Sequence, residues 1–334
     1  MTPTRLALLG VAHVHADAYA AWLTAQHHVE VPGFSEEDPH LAAEFAARTG
    51  WRHLPLKDLL DLKPHGVIVC SETARHRPLV EAAARAGAHV LCEKPIATTL
   101  EDARAMGEAC ARAGVGFRTA FPVRFSPPVG QLHDLLRAGA LGEVLAYSGV
   151  NHSVCPDRER GWFSDPQLAG GGAGMDHIIH LADLLHLFGE RVEGVYARLI
   201  PVPEWVLPEH AGVDAAGLVT LRLASGATAT IDCSWSRPRR YPRWGHLKLE
   251  VTGTRGMQGL DAFAEALTVT GPNGAHWAGY GADLNALMLD DFLNLCTDGG
   301  PSRGADGEAG YQALRVVLAA YGSEAQGQAV GLPN

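Results

Sequence analysis

From Arg5 to Ala113 short apolar runs alternate with helix-patterned segments, an order that very few folds accommodate. The run Arg5–Leu9 ends at Gly10 and gives way to the alanine-rich pattern of a helix over Ala16–Ala25. Val29–Phe34 then leads through Ser35-Glu36-Glu37-Asp38-Pro39 into a helix over Leu41–Arg48. Gly66–Cys70 is rich in β-branched residues, as a strand buried on both faces should be, and Arg77–Ala86 behind it is helical. His89–Cys92 is a further strand, Glu93-Lys94-Pro95 breaks the chain, and Leu100–Ala113 is a further helix. Repeated at this spacing, the pattern implies right-handed β-α-β units and a doubly wound parallel sheet with helices on both faces.

A chain of 334 residues exceeds the roughly 250–300 at which single cores stop growing, so a second domain is expected. The grammar changes after about residue 121. A glycine cluster precedes a helix over Met175–Phe188, and period-2 runs follow at Gly194–Ile200, Ala216–Leu223, Ala227–Trp235 and His246–Thr252. Ala224-Ser225-Gly226 is a hairpin signal between two of these runs. The expected fold class is therefore α/β with a doubly wound parallel sheet over 1–121, and α+β with a largely antiparallel open sheet over 122–334. Helical spacing returns over Leu284–Cys296 and Glu308–Ser323.

Charge and cysteine usage narrow the function. With 27 Lys plus Arg against 37 Asp plus Glu, a formal charge of −10 argues against a general nucleic-acid binder. The six cysteines form no C-x-x-C pair and no dense module, so neither a zinc ribbon nor a disulfide framework is expected. The first apolar run has no cleavage site behind it, and no apolar stretch approaches the roughly 18–20 residues that span a bilayer. A cytoplasmic protein with small-molecule partners and no membrane association is the expectation.

The first β-α turn, Gly10-Val11-Ala12-His13-Val14-His15, only partly follows the dinucleotide fingerprint G-x-G-x-x-G. Gly10 supplies the tight turn, Ala12 adds one methyl group where the backbone nears the pyrophosphate, and His15 replaces the third glycine. Glu36 lies 26 residues past Gly10, in place to bond ribose hydroxyls and to repel a 2′-phosphate. That favours NAD, with NADP as the alternative. Lys94 follows a buried strand directly, at the sheet edge where open α/β sheets bind ligands. Further on, Gly170-Gly171-Gly172 opens onto Asp176, His180 and Asp183, which share one helix face at i, i+4, i+7. Asp176 and His180 suit proton transfer near neutral pH, and Asp183 suits a tether for the helix.

Two other features compete. His13-Val14-His15 is similar to the metal-binding H-x-H of amidohydrolase barrels, with Lys94, His152, His177 or His180 and Asp232 as conceivable further ligands. An eight-fold barrel needs strand-helix alternation throughout, and here it stops early, so a metal hydrolase is disfavoured and no metal is expected. Trp235 to Trp244 interleaves four arginines with three aromatic residues, as an anion-binding patch or a subunit contact would.

Taken in order, these segments resemble the glucose-fructose oxidoreductase, inositol 2-dehydrogenase and MocA (Gfo/Idh/MocA) family along nearly the whole chain. The likeness is carried by Val67-Ile68-Val69-Cys70-Ser71 with Thr73 and His76, by Glu93-Lys94-Pro95, by the glycine run before Asp176-x-x-x-His180-x-x-Asp183, and by Asp306-Gly307-Glu308-Ala309-Gly310. The resemblance implies an NAD(P)-binding Rossmann domain, a substrate domain, and oxidation or reduction of a sugar, polyol or cyclitol. It implies catalytic roles for Lys94, Asp176 and His180. On the cofactor it implies Gly10, Ala12, His13, His15, Glu36, Ser71, Thr73, His76, Glu93 and Lys94. A homodimer or homotetramer is also implied, with Val219, Leu221 and Leu223 offering a face for it. A binding or regulatory protein of the same fold is the alternative from a different class.

Overall fold

In the computed structural model, residues 3–155, 158–201, 212–238, 241, 245–271, 274–297, 299–300 and 302–333 are described. The elements run β1 (Thr4–Leu9), α1 (Ala16–Ala25), β2 (Val29–Glu30), β3 (Phe34–Ser35), α2 (Pro39–Thr49), α3 (Leu56–Asp61), β4 (Gly66–Val69), α4 (His76–Ala86), β5 (His89–Cys92), α5 (Leu100–Ala113) and β6 (Phe117–Thr119). Then come α6 (Pro127–Arg137), β7 (Val144–Val154), α7 (Pro166–Ala169), α8 (Ala173–Leu187), β8 (Val192–Pro201), β9 (Asp214–Leu223), β10 (Thr228–Arg237), β11 (Gly245–Gly253) and β12 (Gly256–Asp261). The chain closes with β13 (Ala266–Gly271), β14 (Gly274–Gly279), α9 (Leu284–Thr297), β15 (Ala305–Asp306), α10 (Gly307–Gln326) and β16 (Val330–Gly331).

The chain divides into two compact units. The first is the chain through Pro122 together with Leu284–Tyr311, a return that the sequence patterning does not signal. Its sheet has the order β15-β6-β5-β4-β1-β2, with β3 also on β1. All of its pairs are parallel except β15 with β6. The strands are buried on both faces: Leu6 to Leu9 and Val67 to Val69 have no exposed surface at all, which is why they read as continuous apolar runs. Val29–Phe34 is not one strand, for the chain leaves the ladder between Glu30 and Phe34. On one side α9 lies close against the sheet, where a Cβ on Gly66 would meet Cys296 Sγ at 2.5 Å and Phe292 at 2.9 Å.

The second unit holds Val123–Asp283 and the chain from Gln312 onward. Its sheet is ordered β12-β11-β7-β10-β9-β8-β16 and is mostly antiparallel, with β7 and β10 parallel. Patterning alone does not find β7, whose alternation is interrupted by Gly149 and Asn151. The helix α8 covers one face of this sheet, and a Cβ on Gly149 of β7 would meet Leu181 of α8 at 2.7 Å. This corrects the expected assembly face. Val219, Leu221 and Leu223 point toward α8 and are buried, so the same period of two turns Leu218, Thr220 and Arg222 outward.

Candidate functional site

In the first unit, the residues nominated for the cofactor gather at the carboxyl ends of β1, β3, β4 and β5. Gly10 has φ +76, and a Cβ there would lie 2.5 Å from Ser71 Cβ. Only glycine lets the β1–α1 loop lie this close to the end of β4. The loop is then fastened along its length. Gly10 N–H donates to Ser35 O at 2.8 Å and His13 N–H donates to Cys70 O at 2.9 Å. The Glu36 carboxylate accepts the Val11 and Asp38 amides at 2.8 and 3.0 Å, joining the end of β3 to the loop.

These bonds leave two amides for a ligand. Among the described residues, Val14 N–H and the first-turn Ala18 N–H of α1 have no hydrogen-bond acceptor within the chain. A helix N-terminus with spare amides suits a phosphate oxygen. A buried carboxylate at the end of the neighbouring strand suits ribose hydroxyls. The donor set therefore fits a dinucleotide although two of the three glycines are missing.

His13 and His15 of this loop cluster with Glu93 at the end of β5, His13 and Glu93 buried and His15 partly so. His15 Nδ1 lies 2.8 Å and His13 Nδ1 3.5 Å from the same oxygen, Glu93 Oε1. Tyr19 donates its hydroxyl to that oxygen at 2.6 Å. Burial alone would raise the Glu93 carboxyl, but the two imidazoles and the hydrogen bonds from His15 and Tyr19 outweigh it and hold Glu93 far below the usual carboxylate range. Burial pushes His13 well below its ordinary value, with Glu93 opposing. Glu93 is held ionised, because the His15 ring, the Tyr19 hydroxyl and the Lys94 amide all donate to its carboxylate.

The next residue, Lys94, is buried and leads into a cis Lys94–Pro95 peptide. His76 braces the same edge. Its ring nitrogens lie 3.0 Å from Ile96 O and 3.2 Å from Ser71 O, while Ser71 and Thr73 are buried beside it.

In the second unit, the glycine run has a packing cause. A Cβ on Gly172 would collide with the backbone carbonyl of Asp214, and one on Gly171 with the Tyr321 hydroxyl. That closeness caps α8: Gly172 and Gly174 N–H donate to the Asp214 carboxylate at 3.0 and 2.5 Å. Tyr321 donates to Asp214 at 2.5 Å and accepts the Gly172 and Met175 amides, each at 3.1 Å. A carboxylate at this end also opposes the positive end of the helix dipole.

Asp176, in the first turn of α8, accepts Trp235 Nε1–H at 3.1 Å, and its carboxylate is 3.7 Å from His177 Nε2. His177 lies 3.0 Å from Ser153 Oγ, and its carbonyl accepts from Asn151 at 3.2 Å. His180 is half-buried one turn further along the helix. Asp183 does tether the helix, through a buried pair with Arg124 in which Nε donates at 2.8 Å and Nη2 at 2.6 Å. Sequence reading missed Arg124, Asn151 and Trp235 as partners of this helix, since they stand far from it in the chain. Trp235 is buried beside Ala173 and Val213, which removes it from the expected surface patch. From that patch Arg237 stacks on Tyr241 at 4.6 Å and donates to His246 at 2.8 Å. Residues 239–240 and 242–244 lie outside the described residues.

Residues 4–121 match the model of an oxidoreductase family with an NAD-binding Rossmann fold, and residues 129–258 match the Gfo/Idh/MocA C-terminal domain. The chain belongs to the Gfo/Idh/MocA family. Its first unit is thereby an NAD-binding Rossmann domain, and the other a C-terminal domain of the same family. Myo-inositol 2-dehydrogenase of Thermotoga maritima is 30% identical, over 80% of this chain and 79% of that one. Levoglucosan dehydrogenase of Pseudarthrobacter phenanthrenivorans is 28% identical over 66% of this chain, and the match spans 62% of that enzyme's length. Among solved structures, aldose-aldose oxidoreductase from Caulobacter crescentus superimposes with a TM-score of 0.80 at 25% identity, covering 99% of this chain and 100% of that one. GenD2 from gentamicin A biosynthesis, solved with NAD, shares the fold with a TM-score of 0.87 at 23% identity, over 100% and 97% of the two chains.

Proposed function

We propose that this protein is an NAD(H)-preferring dehydrogenase acting on a CH–OH group of a sugar, polyol or cyclitol. One observation carries the reading: a chain of this family has a buried Lys94 directly after β5, and Asp176 and His180 one turn apart on α8. The relatives named for levoglucosan and myo-inositol support the substrate class.

Val14 and Ala18 amides would hold the pyrophosphate, and Glu36 the adenosine ribose, where its charge disfavours a 2′-phosphate. Gly10 and Ala12 let the backbone approach, while His13, His15 and Glu93 brace the loop from below. Ser71, Thr73 and His76 shape the neighbouring strand end. When bound, the nicotinamide accepts or returns the hydride.

His180 takes the hydroxyl proton during oxidation and gives it back during reduction. Asp176 stands one turn before His180 on α8, where a carboxylate stabilises the imidazolium that forms as the proton is taken. Lys94 donates to the oxygen on which negative charge develops, an interaction strengthened by the lysine's burial. The chain works in the cytoplasm as a homodimer or homotetramer in this reading. No helix among the described residues is long and apolar enough to cross a membrane. The outward-facing Tyr196, Ile200 and Leu218 supply apolar contact area for assembly.

Calorimetric titration with NAD and NADP, followed by turnover on a panel of sugars, polyols and cyclitols, tests the reading. Binding of NAD tighter than NADP is expected. Failure of both to bind at millimolar concentration overturns it.

A further inference from the structure

We propose that His13, His15 and Glu93 form a binding site for a zinc-like divalent transition metal, tying the β1–α1 loop to the end of β5. One ligand atom from each residue can be chosen so that all three lie within 4.8 Å of one another. Both Nδ1 atoms approach a single oxygen, Glu93 Oε1, from 2.8 and 3.5 Å. Two ligands of a tetrahedral zinc at its usual bond lengths stand about 3.4 Å apart. The His13 contact already has that spacing, and the His15 contact reaches it by opening about half an ångström as the metal replaces a hydrogen bond.

The protonation pattern agrees. His13 Nδ1 accepts the His15 amide at 3.3 Å, so it is unprotonated with its ring proton on Nε2, and a metal would take that lone pair from a long hydrogen bond. His15 has only to carry its proton on Nε2 instead of Nδ1. Two neutral imidazoles and one carboxylate are a donor set that zinc favours, and the metal's two charges neutralise a carboxylate that has no exposed surface. His15 alone of the three reaches solvent, with 14% of its side chain exposed, and that side leaves room for a water as fourth ligand. The charged and polar groups around the cluster are Lys94, whose charge opposes a cation, His76, which burial keeps neutral, and the Tyr19 hydroxyl, which donates to Glu93. The site lies in the cofactor unit but needs no turnover, so it stands or falls separately from the dehydrogenase reading.

The test uses the full chain with any affinity tag removed, stripped with a chelator and then titrated with zinc chloride or cobalt(II) chloride. One equivalent is expected to bind with a Kd of about 1 µM or tighter, and cobalt should give visible ligand-field absorption. X-ray absorption of the zinc-loaded wild type should show a first shell of nitrogen and oxygen only. Outer-shell changes alone cost metal sites about 10–100-fold, so loss of a ligand in His15→Gln or Glu93→Gln should weaken binding by at least ~100-fold. His152→Gln and His246→Gln, on the other unit's sheet, should leave it intact. Absence of stoichiometric binding, sulfur in the first shell, or undiminished affinity in folded His15→Gln overturns the proposal. Because the X-ray absorption readout needs no variant, a Glu93→Gln protein that fails to fold leaves the test standing. NAD titration of the stripped protein reads the dehydrogenase proposal independently.

Discussion

The two helix entries of this molecule meet the same physical demand in opposite ways. Before α1 the chain has given up two of the three glycines of a dinucleotide loop, and its backbone is fastened instead by His13, Glu36 and Cys70 O. Before α8, Gly171 and Gly172 are kept because Tyr321 and Asp214 press on the backbone and cap it, while Gly170 takes a φ of +85 at the end of α7. Glycine is thus required by what lies against the turn rather than by the turn alone. A loop fastened by hydrogen bonds to neighbouring strand ends can dispense with all but its first glycine. A helix start that buries a carboxylate against its amides cannot.

The largest expected effect separates chemistry from binding. His180→Ala should lower turnover by about 10²–10⁴-fold while NAD affinity, read by calorimetry, stays within a factor of two or so. An unimpaired rate removes His180 from proton transfer.

The next effect addresses the capped entry. Gly172→Ala drives a methyl group into the Asp214 carbonyl, and thermal unfolding should show a loss of about 3 kcal/mol in the second unit. Stability unchanged within error would mean the glycine run is dispensable there too.

Gly10→Ala is the matching change at the fastened loop. It combines φ +76 with a contact at Ser71, for a loss of about 2 kcal/mol accompanied by weaker NAD binding. A loss larger than that of Gly172→Ala would reverse the comparison.

The smallest effect is on pH. Burial lowers the pKa of His76, against the two carbonyls facing its ring. Burial, then Arg118 and His65, lowers that of His89, whose Nδ1 accepts the Gly116 amide at 2.8 Å. Folding therefore favours their neutral forms. Their contribution is complete above the ordinary histidine value of about 6.5 and is lost as pH falls below it, when the unfolded chain takes up protons that the folded one refuses. The melting temperature of the first unit should fall between pH 7.5 and 5.5, and His89→Asn, which can still accept the amide, should flatten that fall.

Much of this was legible in the sequence where a single periodicity operates. α1, β5 and α5 begin and end where the pattern places them, β5 just before Glu93-Lys94-Pro95 and α5 at Gly114. β7 was not legible, because its 11 residues mix glycine, asparagine and histidine on a strand between one parallel and one antiparallel neighbour, both from much later in the chain. In the site, Lys94, Asp176 and His180 were found from local signals of sheet edge and helix face. Trp235 on Asp176, Arg124 on Asp183 and Asp214 on the glycine run depend on residues 40 to 59 positions away, which spacing does not encode. The H-x-H pair was seen in the sequence. Its carboxylate, Glu93, was not assigned to it, since 78 residues separate Glu93 from His15.

The return of the chain to its first unit sets an order on its birth. When the ribosome has released residues up to Pro122, β6 still shows a bare edge where β15 will pair, and the floor on which Phe292 and Cys296 will rest is uncovered. The nascent cofactor unit must wait through the synthesis of more than 160 further residues before its last strand and covering helix emerge. Its completion is therefore a late event in translation, and a fragment ending at 122 should be a poor candidate for independent folding.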